Sequence, residues 1–403
     1  MRQLAVLGGA PASAREIPMN QPTLPKIEEV DGALADVLSS GQVTNHRYVR
    51  RVEEKAAEYL GVRHAVAVSS CTSGLILGIQ ALDLERPRVL VPSFTFPATA
   101  HAVTWNGLEP AFLDCEEDTF NVSLESMESR IDPRTGALVA VPIFGNPVQG
   151  RKIRAIADRR GLPVIYDAAH ALGARHSGVP ISEHADLAVF SLAPTKVVPA
   201  GEGGIVATND DELARRLRIG RNYGNPGDYD CEFAGLNARM SEFHAVMALF
   251  GLERLDAAIV RRGELVSRYR GLLEGIPGVG FQQIRDGDRC TYNYFAISVE
   301  PDRFGLDVTE LAQALRAENI GCRRYFYPPL HRQRIYAGKD MDAAGLEVTD
   351  RVADRVLCLP LFTHLEFEEL DLVAEVVQEI QERAPVVRET LSSPVVRSVG
   401  GVR

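Results

Sequence analysis

The stretch "FSLAPTKVVPAGEGGIVATND", Phe190 to Asp210, sets one lysine, Lys196, between two runs that read as buried strands. Serine and threonine stand before it and a glycine cluster after it. A surface lysine needs no such setting. A lysine that forms an imine does, because its amine must be desolvated and held still. Asp167, 29 positions earlier in "VIYDAAHALGA", ends another strand-like run. Ligands of open α/β sheets gather at the carboxyl ends of the strands. A carboxylate that can pair with a pyridinium nitrogen, together with an imine-forming lysine, is the minimum set for pyridoxal 5'-phosphate. On spacing alone, a turn-capping aspartate and a solvated lysine explain the same two residues.

A phosphate needs backbone N–H groups and hydroxyls at a helix N-terminus. "SSCTSGLILGIQ" offers them, with Ser70, Thr72, Ser73 and Gly74 between a strand and a helix. Plain N-capping is the bland account of the same hydroxyls. Ser191, five residues before Lys196, could add another. "VPSFTFPATA" places Phe94 and Phe96 just past a further strand. An aromatic side chain there could stack on a flat ring, although core packing is the commoner fate of phenylalanine.

These groups need a scaffold. Between about residues 46 and 220, short runs rich in valine and isoleucine ("HAVAVSS", "RVLVP", "EPAFLD", "ALVAVPIF", "PVIYD", "LAVFSL", "GGIVAT") alternate with helical patterns. Near-continuous apolar strands separated by helices predict an α/β domain with a mostly parallel sheet covered on both faces. "NHRYVRRVEEKAAEYLG" has helical spacing and ends at glycine. "TNDDELARRLR" shows a capping-box pattern, Asn209 with Glu212. After about residue 240, "MSEFHAVMALFGLERLDAAIVRRGELVSRYRGLL" predicts one long helix or a bent pair. "YNYFAISVE", a helix near "DVTELAQALRAENI", a strand-like "CRRYF" and a last helix near Glu366 to Arg383 predict a smaller α+β domain. The expected division is 14–250, 251–384, and a loose tail over 385–403, where periodicity is lost.

The chain has 403 residues, 45% hydrophobic and 24% charged, and a formal net charge of −10. That is an ordinary soluble composition, and its sign argues against a non-specific nucleic-acid surface. No apolar run approaches the roughly 20 residues that span a bilayer. The first 20 residues do not read as a signal peptide. The six cysteines are scattered, with no C-x-x-C and no Cys/His cluster. The expectation is no zinc site, no disulfide framework and a reducing cytoplasm.

Eight stretches taken in order resemble the DegT/DnrJ/EryC1/StrS sugar aminotransferases, fold type I pyridoxal phosphate enzymes. They are "VSSCTSGL", "VPSFTFPATAHAV…GLEPAFLDCEEDTFNVS", "PIFGNP", "YDAAHALGA", "SLAPTKVVPAGEGGIVATND", "GLNARMSEFHAVMAL", "YPPLH" and "LCLPLF", spread over roughly residues 14 to 380. The resemblance implies that Lys196 binds the cofactor as an imine and then shuttles the proton, and that Asp167 pairs with the ring nitrogen. Phe96 would stack on the ring, and His170 would stand near its hydroxyl. Thr72, Ser73 and Ser191 would hold the phosphate. Asn237 would reach a neighbouring subunit's phosphate, which implies a homodimer with shared sites. Tyr325 and His331 match a region that closes over the sugar nucleotide. Two positions depart from the family's pattern: Cys71 replaces a glycine in the phosphate turn, and Pro142 stands where many relatives have histidine.

The implied reaction moves an amino group from L-glutamate to a keto-sugar nucleotide. "LAVLGGAPA", "TSGL" and "NARMSE" are most similar to enzymes that aminate C4 of dTDP-4-keto-6-deoxyhexoses, in deoxysugar pathways for natural products. C3-aminating relatives and scyllo-inosose aminotransferases share most of the motifs. Dehydratases of the family carry histidine where this chain has Lys196, so Lys196 speaks for amino transfer. A non-catalytic protein of the same fold would not need Lys196, Asp167 and the phosphate hydroxyls. An unrelated α/β enzyme using Asp167 and His170 as an acid–base pair would leave Lys196 unexplained.

Overall fold

The computed structural model describes residues 2–338 and 344–393. Twelve strands lie among the described residues. They are β1 (His64–Val68), β2 (Arg88–Pro92), β3 (Glu109–Leu113), β4 (Thr135–Ala140), β5 (Val164–Asp167), β6 (Arg175–His176), β7 (Val179–Pro180), β8 (Leu187–Ser191), β9 (Gly204–Thr208), β10 (Val279–Phe281), β11 (Phe295–Val299) and β12 (Val356–Leu359). Seven of them form one sheet in the order β1-β9-β8-β5-β4-β2-β3. The pairs among β2, β3, β4, β5 and β8 are parallel, and β9 runs antiparallel to both of its neighbours.

Side chains of a strand alternate between faces, and here both faces are buried. Ala65 and Ala67 of β1 join one core with Leu138, Tyr166 and Phe190. Val66 and Val68 join the other core with Val139, Ile165 and Val189. Helices Arg47–Leu60 and Glu242–Glu253 cover the first face. Helices Cys71–Ala81, Pro97–Trp105 and Asp211–Gly220 cover the second. Two-sided burial is why the strands read as continuous apolar runs. A third core surrounds the antiparallel sheet β10-β11-β12, between helices Leu255–Leu273, Val308–Ala317 and Phe367–Glu382.

Several local expectations need correction. Asp210, not Asn209, caps helix Asp211–Gly220, its carboxylate accepting from the N–H groups of Glu212 and Leu213. Asn209 instead accepts from the Arg63 N–H. A carboxylate one position closer to the helix meets the first-turn donors, so it takes the cap. Of the two forms expected for the long helical pattern the chain adopts the pair, broken at Arg254, but the expected boundary at 250 falls inside helix Glu242–Glu253. "CRRYF" forms no strand; Arg323 makes a single bridge to Cys358. Leu4 and Ile17 lie in the third core, and Ile17 bridges Ile320, so the chain's start packs with its C-terminal half. The tail is helical over Ala384–Ser392, because Ala384 and Val387 bury one face in that core. Residues 394–403 of the expected tail lie outside the described residues. No helix is long and apolar enough to cross a membrane among the described residues.

Candidate active site

The carboxyl ends of β1, β5 and β8 meet at one edge of the sheet. Because β9 is reversed, its first residue, Gly204, arrives at the same edge, opposite Val68 and Ser191. A Cβ on Gly204 would stand 2.8 Å from the Cys71 N atom, so glycine lets β9 pass the helix start. A cavity of about 300 Å³ opens there, lined by Lys196, Asp167, His170, Thr72, Ser191 and Phe96 among others. With Tyr325, seven residues expected at the site therefore converge, although they span more than two hundred positions of sequence.

Asp167 ends β5 and is 4% exposed. Thr99 donates to its Oδ2 at 2.6 Å, and the Ala169 N–H to its Oδ1 at 3.2 Å. Burial raises its pKa, opposed by the Thr99 and Ala169 hydrogen bonds and by the nearby Lys196 charge. Lys196 follows β8. Burial lowers its pKa, opposed by the charges of Cys71, Tyr325 and Asp167. Its Nζ lies 5.7 Å from the centre of the Tyr294 ring, and it has no ion-pair partner among the described residues. The site thus holds a carboxylate and an amine that burial drives toward their neutral forms.

His170 is buried, and burial with the Lys196 charge pushes its pKa well below the usual value. Its Nδ1 accepts from the Phe144 N–H at 3.3 Å. The neutral ring must then carry its proton on Nε2, which makes His170 a donor on its other side. Its ring lies parallel to that of Phe326, at 6.1 Å. Phe96 is 54% exposed at the start of helix Pro97–Trp105. It stands open beside the cavity, whereas Phe94 is packed among Phe120, Phe144 and Phe326.

Helix Cys71–Ala81 begins at the cavity wall. Ser70 caps it, accepting from the Ser73 N–H, and the Ser73 hydroxyl answers the Ser70 N–H at 3.1 Å. Ser73 is absent from the lining, and its hydroxyl serves the cap. The N–H groups of Cys71 and Thr72 have no acceptor within the helix. With the hydroxyls of Thr72 and Ser191, they gather donors at the cavity wall, a setting that suits an anion. Cys71 turns its Sγ toward Asp167 Oδ1 at 3.9 Å and Val189 O at 3.8 Å, away from those donors. Pro142 does not line the cavity.

One other expectation lands elsewhere, while Asn237, expected at a neighbouring subunit's phosphate, stands outside this chain's own cavity as that role requires. His331 is buried and outside the lining; Ser93 Oγ meets its Nδ1 at 2.7 Å, and Asp350 Oδ1 its Nε2 at 3.0 Å. Its Nδ1 ties it to the segment after β2, while Nε2 lies near Asp350 of helix Glu347–Arg355 without an aligned hydrogen bond, and the buried ring stands outside the cavity. Asn237 accepts from Arg239 at 3.1 Å and is not in the lining. Tyr325 does line the cavity. Sequence reasoning missed Thr99, Cys71 as an Asp167 neighbour, Tyr294, Glu202 and Arg323. The spacing of Thr99 after "FTFP", one turn into a predicted helix, was a usable signal for the first; nothing local marked Tyr294 or Arg323.

The residues present fit a pyridoxal phosphate group: an amine, a buried carboxylate held by two donors, an exposed aromatic face and a set of donors suited to an anion surround one cavity. No group of three or more metal-ligating side chains occurs among the described residues.

The chain resembles known proteins along most of its length. It is 33% identical to a dTDP-4-amino-4,6-dideoxy-D-glucose transaminase of Escherichia coli, over 88% of this chain and 96% of that protein. It is 34% identical to a dTDP-3-amino-3,4,6-trideoxy-alpha-D-glucose transaminase of Streptomyces venezuelae, over 88% of this chain and 93% of that one. The structure of DesI in the presence of its TDP-sugar product superposes with a TM-score of 0.92 at 34% identity, covering 97% of this chain and 99% of that one. The model of the DegT/DnrJ/EryC1/StrS aminotransferase family matches residues 26–378, and the chain belongs to that family.

Proposed function

We propose that this aminotransferase moves an amino group from L-glutamate to a dTDP-4-keto-6-deoxyhexose, with pyridoxal phosphate as cofactor. The observation that carries the reading is the placement of Lys196 and Asp167 on one cavity, just past the ends of adjacent strands, with Thr99, Ala169 and the Lys196 charge favouring the ionised form of Asp167 against burial. When bound, pyridoxal phosphate supplies an electron sink for a carbanion. Burial lowers the Lys196 pKa, which favours the neutral amine, and Nζ can take and return a proton. Asp167 presents a carboxylate to a pyridinium N–H, with Thr99 and Ala169 fixing its oxygens. Thr72 and Ser191 would hold the phosphate, Phe96 would face the ring, and His170 Nε2 would offer its N–H to it. Buried Tyr294 and Phe326 wall the amine side of the cavity.

The likeness to the E. coli transaminase and to DesI supports a C4 acceptor. The likeness to the S. venezuelae transaminase favours a second reading, amino transfer to C3 of a related sugar. The test is a visible spectrum of the protein with pyridoxal phosphate, then with L-glutamate, then with dTDP-4-keto-6-deoxyglucose. The expected result is a yellow band that bleaches with glutamate and returns with the keto sugar. A band that glutamate leaves untouched overturns the donor. A band that returns only with a 3-keto sugar replaces the C4 reading by the C3 one.

A further inference from the structure

The catalytic cavity is too small to hold both a cofactor and a sugar nucleotide, so a substrate must extend beyond it. Two clefts adjoin it. One, of about 540 Å³, lies between the N-terminal segment (Glu16, Met19, Asn20) and Arg316, with Thr195, Arg323 and Tyr325 on the shared side. The other, of about 260 Å³, runs along Phe96, Pro97 and the segment from Arg323 to Pro328. Arg323 is the one charged side chain that lines all three spaces.

Its state is unusual for its surroundings. Nearby Arg324, Arg332, Arg351 and Arg355 each pair with a carboxylate, of Asp354, Asp350, Glu117 and Glu117 in turn. Among the described residues Arg323 has no carboxylate within ion-pair distance, and neither has Arg316 across the larger cleft. Yet Arg323 is firmly placed. Its backbone N–H donates to Cys358 O at 3.1 Å, and its C=O accepts from the Cys358 N–H at 2.8 Å, which ties it to β12. Its Nη1 donates to Tyr325 Oη at 3.0 Å. Of the five N–H groups of a guanidinium, that uses one. Tyr325, its pKa pushed up to about 12 chiefly by burial, keeps its hydrogen and donates it toward Tyr294. A fixed, unpaired fork of donors is suited to a carboxylate or a phosphate. Glu16 is the one carboxylate lining the larger cleft, so the two arginines leave it net positive.

We propose that Arg323, assisted by Arg316, is the oxyanion-binding and specificity-determining residue of this site, taking the phosphate of the nucleotide or the carboxylate of the donor. The proposal deepens the aminotransfer reading and rests on it for the identity of those two ligands. Binding without turnover tests it separately from catalysis. The protein loaded with pyridoxal phosphate is titrated by calorimetry at low salt with dTDP, and in parallel with glutarate, a dicarboxylate that has no amine to transfer. Arg323→Gln is expected to weaken one or both by roughly ten- to a hundredfold, and Arg316→Gln to weaken the same probe by less. Loss confined to dTDP assigns the phosphate, and loss confined to glutarate assigns the donor carboxylate. Arg323→Lys restores part of the affinity, and Tyr325→Phe, which leaves the guanidinium in place, costs less than Arg323→Gln. Equal affinities in wild type and Arg323→Gln for both probes overturn the proposal, as does a Tyr325→Phe loss equal to that of Arg323→Gln. Bleaching by glutamate can succeed in either case, so the two readings fail separately.

Discussion

The cavity has a floor, made by the ends of β1, β5 and β8, and a roof, made by the segment from Arg323 to Phe326. On the floor, Lys196, Asp167, His170 and Cys71 are enclosed, and burial is the first cause of the pKa shift in every one of them. On the roof, Arg323 is exposed and Tyr325 half-buried, and charge there is displayed, not suppressed. The difference assigns the work. A rigid, dry floor tunes where protons sit. A wetter roof carrying a fixed cation selects by charge what may approach.

That division can be broken from the floor upward. Lys196→Ala should cut glutamate-driven amino transfer by about 10²–10⁴-fold, seen as loss of bleaching in single turnover; near-normal bleaching would remove proton transfer from the floor. Asp167→Asn keeps the shape but removes the carboxylate, and a fall of about 10²–10³-fold in the same measurement is expected. A mild effect would mean that Asp167 serves only to cap its turn. Thr99→Val should cost roughly tenfold. The Thr99 hydrogen bond favours the ionised form, so without it the Asp167 pKa rises further and the acid limb of the pH–rate profile moves to higher pH. An unmoved limb would show that Thr99 does not act through Asp167.

The last two tests separate chemistry from stability. His331→Ala leaves Ser93 and Asp350 without their shared partner, and should lower unfolding stability by about 1–3 kcal/mol in urea while glutamate bleaching persists. Lost bleaching in a folded variant would return His331 to the substrate. The Lys196 amine is a stability cost in the apoprotein. Its folded pKa lies below the ordinary 10.5, so the unfolded chain takes up its proton first as pH falls through that value. Stability then declines until the folded amine also protonates. Lys196→Met should therefore raise apoprotein stability near neutrality, and the gain should vanish above pH 10.5. A gain independent of pH would point to packing instead of desolvation.

Much of the floor was legible before any coordinates. Strands buried on both faces leave an unbroken apolar signature, so the ends of β5 and β8 could be placed, and with them Asp167 and Lys196. The helix start at Ser70–Gly74 was equally plain, because capping residues follow a strand directly. Which hydroxyl serves the cap was not: Ser73 turns inward to Ser70 while Thr72 lines the cavity, and one helical position separates the two outcomes. The tail misled because Ala384–Ser392 is short and buries few residues, so its periodicity is faint.

The sequence by itself determined the sheet's element types, the lysine–aspartate pair and the family, because each is written in local pattern or in the order of motifs. Tertiary structure alone decided that Leu4 and Ile17 join the C-terminal core, that His331 is locked between Ser93 and Asp350, and that Arg323 stands unpaired at the cavity mouth. Those facts depend on contacts between residues far apart in the chain. Whether a charged side chain is neutralised or left open is set by what the fold brings beside it, and no local pattern encodes that neighbour.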